Sequence, residues 1–90
     1  MRATYLYSAM VDLAHLKNKN SYTRALHRIW GNVTDTRMHI TGGLGAVHGI
    51  EGFGPPYLLP NADAFNETCA AVGNVLFNFR MFLAHRDAKY

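Results

Sequence analysis

Two short runs of side chains in this 90-residue chain have the types that could do chemistry. The first is His48-Gly49-Ile50-Glu51, a histidine and a carboxylate three apart. In a glycine-rich loop that spacing fixes no common face, so it carries little weight as a metal motif. A loop glutamate is most often a solvated surface carboxylate; its functional reading is a general acid or base. The second run is Glu67-Thr68-Cys69, a hard and a soft metal ligand two residues apart. On a regular helix such residues point about 200° apart and share no metal. They would converge if a helix begins only near Thr68, a residue able to serve as its N-cap. Cys69 is the only cysteine, and a lone cysteine is by default a small buried hydrophobe. Two ligands are also fewer than the three or four that zinc takes.

Other chemistry is excluded. Gly42-Gly43-Leu44-Gly45-Ala46-Val47-His48-Gly49 misses the dinucleotide fingerprint by register, and no Lys-Ser/Thr follows it as a phosphate loop requires. One cysteine permits no intrachain disulfide. No apolar run reaches the roughly 18 residues of a membrane span. Asp12 and His15 interrupt the first apolar stretch, so it does not read as a signal peptide, and a bacterial cytoplasm or periplasm both stay open. The net charge is +3, but it is laid out unevenly. The segment between Arg37 and Arg80 has no Lys or Arg and holds Glu51, Asp63 and Glu67, a charge of −3. Basic residues sit on helices and termini without a basic run, which argues against a nucleic-acid partner. The acidic centre suits a cation, a metal or a cationic transition state.

These residues need elements to position them. Residues 2–17 read as a helix whose polar positions Thr4, Ser8, Asp12 and His15 form one narrow stripe. A helix apolar around most of its girth is buried on several sides. Asn18 to Ser21 form a turn, with Asn20 or Ser21 able to cap the next helix. Residues 21–36 read as a one-sided helix through Tyr22, Leu26, Ile29 and Val33. Met38 to Thr41 read as a short extended piece. The 42–62 loop follows, with six of the eight glycines between positions 42 and 54 and all three prolines at 55, 56 and 60. So long a loop in a compact chain is usually functional. Residues from about 64 to 85 read as a third helix, again apolar on most faces; Gly73 inside it suggests close packing. The fold class is all-α, with inner, outer and inner helices that want more neighbours than one small domain supplies. Self-association, or membership of a larger helical array, follows from that.

The runs Thr41-Gly42-Gly43-Leu44-Gly45, Glu51-Gly52-Phe53, Tyr57-Leu58-Leu59-Pro60-Asn61 and Glu67-Thr68-Cys69-Ala70-Ala71 occur in the order of one family pattern. With Ala3 to Tyr7, His48 and the tail from Arg80 to Tyr90, the chain resembles the β-L-arabinofuranosidases of glycoside hydrolase family 127 over essentially all 90 residues. The resemblance implies a fragment of an (α/α)6 barrel, in which inner and outer antiparallel helices surround an active-site loop, with residues 1–90 a partial catalytic domain. It implies a retaining hydrolase of terminal β-L-arabinofuranosides, and so an arabinofuranoside-containing glycan as partner. Glu51 would be the acid/base, Glu67 and Cys69 zinc ligands, and His48 a substrate-binding residue. The family's nucleophile is a zinc-bound cysteine from a Cys-Cys pair further downstream, and a histidine precedes the first helix; neither is present in these residues. The chain alone is therefore expected to be inactive. The alternatives are a non-catalytic helical module from a truncated gene, stable only as an oligomer or with a partner, and a family member acting on another sugar.

Overall fold

A computed structural model describes residues 2–45 and 47–90. It contains three helices: α1 (Ala3–Leu16), α2 (Asn20–Thr36) and α3 (Thr68–His85). Among the described residues there is no strand, only two isolated antiparallel bridges, Met38 with Leu44 and Val47 with Gly52. Among the described residues no helix is long and apolar enough to cross a membrane.

Helix α1 lies against both others. The stripe expected for α2 holds in its centre: Leu26 and Val33 are buried and Ile29 partly so, while Tyr22 at its start is exposed. Neither Asn20 nor Ser21 caps α2. The helix begins at Asn20, preceded by Lys19, with no side-chain cap, and the Lys19 carbonyl accepts from Tyr22 and Thr23 N–H. One core gathers Val11 and Ala14 of α1, Leu26 of α2, and Phe77 and Met81 of α3. The Tyr7 and Phe77 rings meet in it with centroids 5.5 Å apart. At its edge the Trp30 indole N–H donates to the Asn78 side-chain oxygen at 2.7 Å. A second core joins Val33, Leu44 and Ala70, with Phe53 and Met38 packed against it. This second cluster fastens the long connection to the helices.

Three further expectations are corrected. Thr4 is polar by type yet fully buried, because it faces Gly73 of α3, where a Cβ would lie 2.2 Å from its Oγ1. The wetter side of α1 instead carries Leu6, Leu13 and Leu16. The piece from Met38 to Thr41 is a tight turn: His39 N–H donates to the Gly43 carbonyl at 2.9 Å and Gly42 N–H to the His39 carbonyl at 2.8 Å. Gly42 takes φ +84° there, which a side chain would oppose. The third helix begins at Thr68 and not near 64. Asn66 N–H and Glu67 N–H donate across to the Gly45 and Leu44 carbonyls, and Asn66 has φ +51°, so the backbone before Thr68 is spent on the loop and cannot wind.

The buried side of α3 runs Ala70, Gly73, Asn74, Phe77, Met81, a single helical stripe. Val72, Val75, Leu76, Phe79, Phe82 and Leu83 are exposed on its remaining faces.

Where the chain closes on itself, the His85 ring packs at a tilt against His27 with ring centroids 4.6 Å apart, and the Tyr90 hydroxyl lies 2.7 Å from His27 Nδ1. Burial lowers the His85 pKa below its ordinary 6.5; the charges of His27, Lys89 and His15 act the same way and Asp87 opposes them. Above the unfolded value His85 is neutral in both states. Below it the unfolded chain takes up the proton more readily, so stability falls as pH drops below about 6.5. The melting temperature is expected to fall between about pH 8 and about pH 5, and His85→Gln to flatten that fall. An unchanged pH profile in the variant would refute the assignment.

Candidate active site

The loop between α2 and α3 brings Glu51, Glu67 and Cys69 to one cleft. It has a volume of about 470 Å³ and is lined by these three with Arg2, Tyr5 and Ile50. Each arrives by a different local device. Glu51 closes a turn in which its N–H donates to the His48 carbonyl at 3.3 Å, just before the Val47–Gly52 bridge. Its φ is +47°, a left-handed conformation that costs a non-glycine residue roughly 1 kcal/mol. Surrounding contacts must hold it there.

Glu67 occupies the N-cap position of α3 in extended conformation, φ −73° and ψ +127°. It therefore stands outside the helix that begins with the next residue, and the 200° separation of a regular helix does not apply. Its Oε2 is buried and has no hydrogen-bond partner. Cys69 is exposed in the first turn of α3. Tyr5 of α1 donates its hydroxyl to the Cys69 carbonyl at 3.0 Å, which ties the start of α3 to the start of α1.

A buried carboxylate oxygen without a partner is costly unless something electropositive satisfies it. Glu67 and Cys69, one hard and one soft donor on the same cleft, fit zinc in kind. They fall short in number: among the described residues no three of His, Cys, Asp and Glu stand together closely enough to hold a metal.

His48 is not brought to the cleft. Its Nε2 lies 2.8 Å from the Asp63 carbonyl, and its ring meets Phe65 edge-on at 5.4 Å. Arg2 and Tyr5 were not singled out by sequence. Tyr5 reads as one more core aromatic, and a bond spanning 64 positions leaves no periodic trace. A larger hollow, about 870 Å³, opens beside α2 between Tyr7, His27, Arg28, Asn32, Arg37 and Phe53. Among the described residues lining it there is no thiol or carboxylate, so the smaller cleft is the better candidate.

Known proteins resemble this chain over essentially its whole length. The sequence profile of the beta-L-arabinofuranosidase GH127 catalytic domain matches residues 2–90. The non-reducing end beta-L-arabinofuranosidase of Bifidobacterium longum subsp. longum is 32% identical over 90 residues, all of this chain and 14% of that protein. A solved GH127 beta-arabinofuranosidase superposes with TM-score 0.95 at 52% identity, over 99% of this chain and 14% of its own. A GH127 beta-L-arabinofuranosidase from Geobacillus stearothermophilus T6 gives TM-score 0.95 at 40% identity, with the same coverage. The chain thus spans about one seventh of the length of these relatives, and over that stretch it belongs to the GH127 beta-L-arabinofuranosidase catalytic-domain family.

Proposed function

We propose that this chain is part of a retaining glycoside hydrolase that removes terminal β-L-arabinofuranosyl residues, with Glu51 as its acid/base. The observation that carries the reading is the cleft shared by Glu51, Glu67 and Cys69 in a chain of this family. Glu51 would donate a proton to the leaving glycosidic oxygen and then take one from the water that completes the reaction. Glu67 and Cys69 would hold zinc, with further ligands supplied from outside these 90 residues. When bound, the metal keeps a coordinating thiol deprotonated and so suited to attack an anomeric carbon. His48, held by the Asp63 carbonyl and Phe65, would act on substrate from the rim and not from the cleft.

In this reading the three helices are a segment of an (α/α)6 barrel, α1 and α3 inner and α2 outer. The exposed apolar rows of α1 and α3 support it, since both call for neighbours. In isolation the same rows drive self-association. The 90-residue chain is then expected to leave an aryl β-L-arabinofuranoside unhydrolysed, while a longer reading frame with the missing cysteines cleaves it. Turnover by the purified 90-residue chain would overturn the division of the site. A start and stop codon bounding these residues, with no downstream Cys-Cys pair in frame, would favour the non-catalytic helical module instead. Activity of the longer protein on a different glycoside would favour the other-sugar reading.

A further inference from the structure

We infer that Arg37 is a positioning residue that helps hold Glu51 over the Glu67–Cys69 cleft; its importance for chemistry rests on the acid/base reading of Glu51. Arg37 immediately follows α2 and does not line the cleft. It reaches the loop beyond Glu51 in two ways. One terminal guanidinium nitrogen donates to the Gly54 carbonyl, and the guanidinium carbon lies 5.8 Å from the centre of the Phe53 ring. Its Nε is fixed in turn by the Asn32 side-chain oxygen of α2 at 2.6 Å. Phe53 also packs against the core formed by Val33, Leu44 and Ala70, so the arginine holds a ring that is itself seated on the helices. Beside it, Tyr57 N–H donates to the Thr36 carbonyl at 2.8 Å.

Glu51 needs such support. It stands at φ +47°, and the residues flanking it form one isolated bridge and no strand. Two and three residues further on, Phe53 and Gly54 are where the loop is pinned to the end of α2. The clamp depends on a planar fork: one nitrogen turned to Asn32, another to Gly54, and the guanidinium carbon over an aromatic ring. Lysine keeps the charge but has one nitrogen and no plane.

Cys69, the single thiol, allows a direct test in the 90-residue chain. It is labelled with bimane, and Ile50→Trp, at an exposed position on the same cleft, supplies a short-range quencher. The labelled chain is diluted into an excess of unlabelled wild-type chain, so that the quenching read is intramolecular. Chains without Ile50→Trp correct for Trp30. Strong quenching is expected with Arg37 in place. Arg37→Met and Arg37→Lys are both expected to lose about half of it or more, with the far-ultraviolet helical signal retained. Unchanged quenching in Arg37→Met, or full restoration by lysine, overturns the clamp. Should Arg37→Met lose its helices, Asn32→Ala removes only the Nε partner and is expected to lose part of the quenching; no loss there overturns the inference. The acid/base reading fails separately, through the activity of Glu51 variants, and leaves this geometry as it is.

Discussion

Replacement of Glu51 by glutamine in the complete catalytic domain is expected to lower kcat/KM for an unactivated β-L-arabinofuranoside by about 10²–10⁴-fold, the usual range for a lost general acid/base. Glutamine keeps the size and the backbone demands of the strained turn, so the loss reports the proton and not the loop. The size of the loss should depend on the leaving group. An aryloxide of low basicity departs without protonation, so cleavage of such a glycoside should be impaired much less than cleavage of an alkyl glycoside. Azide, which needs no base to attack, should restore turnover of the activated substrate in Glu51→Ala. Equal losses for both leaving groups, with no response to azide, would remove Glu51 from the role and leave it a structural turn residue.

Gly73→Ala is expected to destabilise the chain by about 1–3 kcal/mol, although alanine is ordinarily the better helix former by about 1 kcal/mol. A Cβ at this position would lie 2.2 Å from Thr4 Oγ1, 3.0 Å from Tyr5 Cε2 and 3.1 Å from Thr4 Cβ. Rotating Thr4 moves its hydroxyl but not its Cβ, and Thr4 is fully buried, so the two helices must separate. Gly31, inside α2, is the internal control. Its added Cβ meets nothing closer than Asp35 Oδ2 at 3.8 Å, so Gly31→Ala should stabilise by about 0.5–1 kcal/mol. Urea unfolding of both variants checks the pair of signs. Thr4→Ala combined with Gly73→Ala should recover part of the loss, because the hydroxyl contact goes while the Tyr5 and Cβ contacts stay. A neutral or stabilising Gly73→Ala would show that α1 and α3 are not in the close contact described.

Helix periodicity was enough to locate the three helices and the Leu26–Val33 stripe, because those faces pack against apolar neighbours as their residue types suggest. It failed where a neighbour overrode type. Thr4 is buried because Gly73 lets α1 approach, and that requires knowing which helix lies opposite. The early start expected for α3 follows the apolar run back through Ala64 and Phe65. The carbonyls of Leu44 and Gly45, over twenty residues away in sequence, hold Asn66 and Glu67 out of the helix. The same local break makes sense of the Glu67-Thr68-Cys69 spacing, which on a regular helix would have argued against a shared site. Glu51, Glu67 and Cys69 stand out as candidates through their motif, and the fold brings them to one cleft. Arg37 was not: as a letter it marks only the edge of an acidic segment, and its role exists only once Phe53 and Gly54 have folded back onto it.

The left-handed residues of the connecting segment have a consequence for transplanting it. Glu51, Tyr57 and Asn66 all take positive φ between α2 and α3, and no strand or helix of its own supports that stretch among the described residues. A synthetic peptide copying residues 37–67 would relax each of these three toward ordinary backbone angles, because the groups that oppose relaxation, such as the Thr36 carbonyl, Val33 and Ala70, belong to the helices. The loop is therefore not portable: grafting this cleft onto another scaffold means carrying the end of α2 and the starts of α1 and α3 with it.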